Sequence, residues 1–293
     1  MASKKVSALC IIASLLIISF TLTNAIRPEP ASAGVNPAKI GDGDFDQAEK
    51  VEVDEDSCEG GGVVRIQDDE FWHMTKVLRL STNDRVELFN GKGGLVEGCI
   101  QRIDRTGLDF LALGDPKLVT PDTTKWHVFA AFGTLKGGRA DWLVEKCTEL
   151  GACSVTPLLT ENSPSISENR VDRLQRVILA ATKQCQRLHE MILNPPTKID
   201  GLLPLLAQSK LSFLAAAEAT PVVSVLASSR KESSGLIIVG PEGDFTEREL
   251  AMMMEAGATA VGLGPLRLRV ETATMALLAT LMLWSDAQQL ANA

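Results

Sequence analysis

Hydrophobic and polar positions follow two different rhythms along the chain, and the change falls near residue 120. Between 63 and 113 the apolar runs are short and bounded by turn-forming residues. They predict strands at 63–66, 85–89, 94–103 and 108–113, and a helix over 68–80 with Phe71, Met74, Val77 and Leu78 on one face. Asn90-Gly91 is a hairpin signal between the second and third strands. Short strands joined by tight turns suggest a small barrel or barrel-like sheet.

A polar, Pro-bounded linker spans 116–124, and the runs beyond it change character. Continuous apolar strands are predicted at 126–132, 154–159, 211–217, 236–239 and 260–263. They alternate with helices at 139–150, 168–188, 221–228, 246–256 and 271–287. That alternation implies an α/β domain with a mainly parallel sheet. Gly151 is a C-terminal cap, and Thr246 with Glu249 forms a capping box. The helix over 168–188 turns Val171, Leu174, Val177, Ile178 and Ala181 to the core. Arg170, Arg173, Arg176, Lys183 and Arg187 lie on its other faces, which are either solvated or in contact with RNA. The last helix is apolar nearly all round from 276 to 284, so burial on several sides is expected, by its own domain and by a second subunit.

Two Gly-Pro loops dominate the C-terminal region, Gly240-Pro241-Glu242-Gly243-Asp244-Phe245-Thr246 and the stretch 263–272. Each follows a buried strand and leads into a helix, so both emerge at the carboxyl edge of the sheet, where such folds bind ligands. Gly240 and Gly243 permit close backbone approach, Pro241 and Pro265 stiffen the loops, and Leu263, Leu266 and Leu268 supply apolar walls. This combination suits a nucleoside cofactor. No G-x-G-x-x-G, G-x-S-x-G or P-loop pattern is present, and Gly91-Lys92-Gly93-Gly94 leads into a strand, as a hairpin turn does. His73, His127 and His189 lack metal-ligand spacing and read as packing or surface residues.

Charge changes the picture at the N-terminus. Of the formal net charge of −8, residues 1–61 supply −5, from five basic and ten acidic residues, which leaves −3 for the other 232. The near-neutral remainder is compatible with an RNA partner. Residues 1–25 have the layout of a secretory signal peptide, with Lys4 and Lys5, an apolar run over 8–22 and small residues at the end. The run is short for a membrane span. The segment 26–61 is acidic, without apolar periodicity, and reads as disordered. The six cysteines, Cys10, Cys58, Cys99, Cys147, Cys153 and Cys185, form no C-x-x-C pair and read as free thiols of a reducing compartment.

Several stretches together resemble the RsmE family, SPOUT-superfamily methyltransferases for uridine N3 in small-subunit ribosomal RNA. These are Gly240-Pro241-Glu242-Gly243, the Gly-Pro-x-x-Leu-Arg-x-Glu-Thr-Ala block at 264–273, and Glu145-Lys146-x-x-Glu149-Leu150-Gly151. Val77-Leu78-Arg79 and Asp84-Arg85-Val86-Glu87-Leu88-Phe89 extend the likeness over 62–287. The resemblance implies a PUA-like RNA-binding domain at 62–117, a trefoil-knotted SPOUT methyltransferase domain at 122–293, S-adenosyl-L-methionine in the knot, and a homodimer acting on ribosomal RNA or the assembled subunit. By motif position it puts cofactor contacts on Ala216, Glu218, Gly240, Glu242, Gly243, Leu263, Gly264, Leu266 and Leu268. The sequence departs from the bacterial pattern at Asp244, where a second Gly is frequent, at Val270 for a frequent Thr, and at Lys183, where Glu is common.

Methylation at uridine N3 requires a proton to leave while negative charge spreads over O2 and O4. Arg269 is the candidate for stabilising that charge, with Glu271 orienting it or relaying the proton. The alternative is a structural Arg269–Glu271 salt bridge that closes the knot. The candidate RNA cations are Arg65, Lys76, Arg79, Arg85, Lys92, Arg173, Lys183 and Arg187. Other readings are a SPOUT enzyme for a ribose 2′-hydroxyl or another base, and an RNA-binding module without catalysis. The leader favours another reading again: Arg27-Pro28-Glu29-Pro30-Ala31 and Val53-Asp54-Glu55-Asp56-Ser57-Cys58 resemble plant phytosulfokine-type precursors, yet the chain has no Tyr and so lacks their Tyr-Ile-Tyr peptide. A leader joined to an unrelated enzyme is expected, by gene prediction or real fusion, with chloroplast or mitochondrion as the enzyme's compartment.

Overall fold

The structure, a computed structural model, describes residues 62–121 and 123–290. The signal-peptide-like leader, the acidic segment, Cys10 and Cys58 lie outside the described residues. The chain divides between Thr120 and Pro121 into two compact units.

The N-terminal unit contains β1 (Val63–Ile66), α1 (Asp68–Trp72) running into a π-turn (His73–Val77), β2 (Arg85–Phe89), β3 (Gly94–Ile103), β4 (Leu108–Ala112) and β5 (Lys117–Leu118). The strands pair antiparallel in the order β1-β4-β3-β2, with β5 on β3. Period-two burial explains the single core face: Val96, Gly98 and Ile100 of β3 alternate with less buried residues, as do Leu108, Phe110 and Ala112 of β4. Gly98 is required there, because a Cβ would lie 2.2 Å from the Phe110 ring. Among the described residues no pairing joins β1 to β2, so the barrel-like sheet is open at those edges.

Two local expectations are corrected. The segment 116–124 is not all linker, since β5 lies within it. The helix over 68–80 gives way to the π-turn, with Leu78 N–H donating to the His73 carbonyl five residues back. The wider turn breaks the 3.6-residue spacing. Met74 stays fully buried, while Val77 and Leu78 swing out to 50% and 40% exposure.

The C-terminal unit runs β6 (Lys125–Ala130), α2 (Arg139–Glu149), β7 (Ser154–Leu159), α3 (Glu168–Gln184), β8 (Ile192–Leu193), β9 (Thr197–Lys198), α4 (Ile199–Gln208), β10 (Ser212–Ala215), α5 (Val222–Ser228), β11 (Ser234–Val239), α6 (Glu247–Glu255), β12 (Thr259–Val261) and α7 (Val270–Leu290). All pairings of this sheet are parallel, in the order β12-β10-β11-β6-β7-β8, with β9 also on β7. The continuous apolar strands are sandwiched: Val128 and Ile237 face one core with residues of α2 and α7, while Phe129 and Ile238 face another with residues of α4 and α6. Buried Trp126 fixes α7 to the sheet by donating its indole N–H to Ser285 Oγ at 3.1 Å. Leu277, Leu278 and Leu281 of that helix are buried, but Leu283 is 70% exposed, so the chain covers α7 on fewer sides than its composition suggests.

β8, β9 and α4 have no counterpart in the periodicity reading. Two-residue strands are too short to show alternation, and Pro204 inside α4 reads as a helix breaker. The helix α3 stops at Gln184, earlier than expected, because Gln186 takes a left-handed φ of 61° and turns the chain back.

Candidate active site

Three strand ends converge on one cavity of about 500 Å³. Its walls come from the loops that follow β10, β11 and β12, including residues 215–218, 240–242, 244–245 and 263–268. All three leave the carboxyl edge of the parallel sheet, where the order β12-β10-β11 makes them neighbours. Of the predicted cofactor residues, Ala216, Glu218, Gly240, Glu242, Leu263, Gly264, Leu266 and Leu268 line this cavity; Gly243 does not.

Local chemistry sets the loop shapes. Gly240 sits against Phe245, and a Cβ at 240 would lie 2.9 Å from that ring. Asp244 adopts a left-handed φ of 59°, the conformation a second Gly would take without strain, and its N–H closes a turn onto the Pro241 carbonyl. Two contacts steady it: Arg267 meets its carboxylate at 2.6 Å, and Asn162 Nδ2 donates to the carbonyls of Gly243 and Asp244. The expected capping box of Thr246 and Glu249 is present at the start of α6. Glu249 also accepts from the Glu161 N–H, so the same carboxylate anchors the loop after β7.

Cavity-lining Glu242 belongs to an ion cluster that sequence reasoning missed. Arg139, at the first turn of α2, donates from Nε to Glu271 Oε1 at 2.8 Å and from Nη2 to Glu271 Oε2 at 2.7 Å. Its Nη1 meets Glu242 Oε1 at 2.7 Å. The Arg139 hydrogen bonds hold the Glu271 carboxyl below its ordinary range, although burial pushes the other way. Both carboxylates raise the Arg139 guanidinium in turn, Glu271 first. The expected salt bridge between Arg269 and Glu271 is therefore not the one made. Arg269 is exposed between cavity-lining Leu268 and Val270, and its guanidinium has no ion pair or hydrogen bond among the described residues.

The candidate RNA cations divide by what they already hold. Lys76, Arg79 and Lys92 are exposed, with Arg79 at a left-handed φ of 56°. Arg85 pairs with Glu97 at 3.2 Å and Arg173 with Asp141 at 2.6 Å. Arg65 is tied to Asp104 and Asp109 at 2.6 and 2.8 Å. Half-buried Arg187 spends its donors on the carbonyls of Thr148, Ala152 and His189, which makes it a backbone staple at the end of α3. Half-buried Lys183 also lies near that end. The described cysteines, Cys99, Cys147, Cys153 and Cys185, are free thiols, and burial pushes Cys147 up strongly. His127 is half-buried against Ser154, and burial lowers it. Among the described residues no helix is long and apolar enough to cross a membrane.

The parallel α/β unit that bears this cleft and the antiparallel unit before it both match domains of RNA methyltransferases. The RNA methyltransferase domain profile matches residues 122–282, and the RNA methyltransferase PUA domain profile matches 66–113. Ribosomal RNA small subunit methyltransferase E of Rickettsia conorii is 30% identical over 224 residues, covering 75% of this chain and 89% of that one. The protein of the same name from Synechocystis is 28% identical, covering 71% and 68%. Among solved structures, a ribosomal RNA small subunit methyltransferase E from Neisseria gonorrhoeae bound to S-adenosyl methionine superposes with a TM-score of 0.64 at 25% identity, covering 77% of this chain and 94% of that one. The chain belongs to the ribosomal RNA small subunit methyltransferase E family, whose SPOUT-type α/β domain follows a PUA-like domain.

Proposed function

We propose that the protein transfers a methyl group from S-adenosyl-L-methionine to N3 of a uridine in small-subunit ribosomal RNA, and that it works as a homodimer with a trefoil-knotted site. The observation that carries the reading is the cavity closed by the loops after β10, β11 and β12. Its volume lies within the range of small-ligand pockets, roughly 300–1,000 Å³. Its chemistry fits this cofactor: Leu263, Leu266 and Leu268 offer apolar walls, Gly240 lets backbone approach, and Glu218 and Glu242 add acidic groups to the lining of a site for a cationic ligand.

The cofactor supplies an already electrophilic methyl group, so the chain's main tasks are positioning and charge stabilisation. Arg269 lies beside the cavity with a free guanidinium, available to the anion that develops over O2 and O4 as the N3 proton leaves to solvent. Glu271 is assigned a supporting role, because Arg139 occupies both its oxygens and weakens it as a base. A target base has to be unstacked to reach such a site, and in the PUA-like unit exposed Lys76, Arg79 and Lys92 are available to RNA phosphates. Exposed Leu283 on α7 suits a subunit contact. A chloroplast or mitochondrial address is proposed for the enzyme, on the ground that its relatives are bacterial.

Incubation with labelled S-adenosyl-L-methionine and small-subunit ribosomal RNA, followed by nucleoside mass spectrometry, is expected to give 3-methyluridine. A ribose-methylated nucleoside, or RNA binding with no methyl transfer, overturns the proposal.

A further inference from the structure

We infer that Arg139 is a positioning residue for methyl transfer: it ties the second and third cavity loops together and keeps Glu271 from neutralising Arg269. This rests on the reaction proposed above. Three observations carry it. The first is reach. Arg139 stands at the start of α2, behind Gly137 and Gly138 at left-handed φ of 66° and 77°, and spans from Glu242 in the loop after β11 to Glu271 at the start of α7. Those contacts of 2.7 Å each link cavity-lining Glu242 to Glu271, the residue after cavity-lining Val270, so the guanidinium ties the two cavity segments together.

The second is geometry. The planar fork of Arg139 takes both Glu271 oxygens at once and still has Nη1 for Glu242. A lysine ammonium is a point charge and cannot reproduce a bidentate contact plus a third. The third is competition. Arg269 lies two residues before Glu271, close enough that its charge also favours the Glu271 carboxylate. With Arg139 removed, Arg269 is the other cation that acts on Glu271. The guanidinium meant for substrate would then be spent on an internal ion pair. The arrangement is supported from behind, because Arg170 donates to the carbonyls of Gly133 and Leu135 and holds the segment leading to α2.

The test uses the full-length protein, with cofactor affinity by calorimetry and single-turnover methylation of ribosomal RNA. Arg139→Ala is expected to weaken S-adenosyl-L-methionine binding by about tenfold and to slow methyl transfer by more than about thirtyfold, with Arg139→Lys falling between it and the wild type. The deciding measurement is the cycle with Arg269. If Arg139 acts on the rate through Arg269, then at saturating cofactor, where the loss of affinity does not enter, the Arg139→Ala, Arg269→Ala double variant is no slower than Arg269→Ala alone. Multiplying effects on the rate, or an Arg139→Ala variant with unchanged affinity, overturns the inference. If Arg139→Ala does not fold, Arg139→Lys carries the same cycle. A wild-type protein that binds the cofactor but methylates nothing overturns the proposed reaction instead, and the clamp is then judged by the affinity of the Arg139 variants.

Discussion

Arg139 and Glu271, 132 residues apart in sequence, meet in a bidentate ion pair with contacts of 2.8 and 2.7 Å. The partner expected for Glu271 was Arg269, two residues away, yet the fold supplies a distant one. The adjacency of β6 and β11 in the sheet explains the reach. The chain leaving β6 toward α2 and the loop leaving β11 emerge side by side, and Arg139 stands between that loop and the start of α7.

This pair makes stability pH-dependent in a defined direction. Arg139 holds the folded-state pKa of Glu271 below its unfolded value. Its contribution is therefore fully present above the unfolded carboxyl value, about 4.3, and is lost as pH falls through the folded value. Urea melts between pH 7 and pH 3 are expected to show wild type losing more stability than Glu271→Gln in the acid part of that window. Parallel losses in the two proteins would remove the pair as the cause.

Gly240 is a steric requirement of the cavity wall. A methyl group there would lie 2.9 Å from the Phe245 ring, so Gly240→Ala must push the ring or the loop aside. Overpacking of this kind costs about 1–3 kcal/mol. Thermal melts should register it, and calorimetry should show at least severalfold weaker binding of S-adenosyl-L-methionine.

Asp244 tests whether backbone shape or side chain matters in the same loop. Its φ of 59° is free for glycine and costly for a β-branched residue, while its pair with Arg267 is well exposed at both ends. Asp244→Gly is expected to keep stability within about 0.5 kcal/mol of wild type, and Asp244→Val to lose about 1–2 kcal/mol. Chemical denaturation of the two variants side by side reads the difference.

Two cations of the PUA-like unit should behave differently in RNA binding. Exposed Lys76 is available to a phosphate, whereas Arg65 is bound to Asp104, Asp109 and Thr106. Titrations of ribosomal RNA fragments over a range of salt should show Lys76→Ala lowering the log–log slope by about 0.7–0.9. Arg65→Ala should leave the slope unchanged and lower the melting temperature. Matching slopes for wild type and Lys76→Ala would remove Lys76 from the interface.

The candidate site was legible where its signal was local in sequence. Gly240 with Pro241, Gly264 with Pro265, and the Thr246–Glu249 cap each act over a few residues, and the cavity is lined by all but one of the positions expected to hold a cofactor. The ion cluster that includes Glu242 was not legible. Among many arginines, nothing near Arg139 distinguishes it before the fold brings Glu242 and Glu271 to it.

The sequence by itself determined the two rhythms of burial, the antiparallel and parallel classes they imply, and the two stiff loops, because side-chain alternation, capping and φ preferences act between near neighbours. Only the tertiary structure decided which charges remain free. It commits Arg65, Arg139 and Arg187 to internal partners, leaves Arg269 and Lys76 open, and turns Val77 and Leu78 outward through a π-turn. An ion pair depends on strand order and sheet adjacency, and those arise from packing over the whole chain.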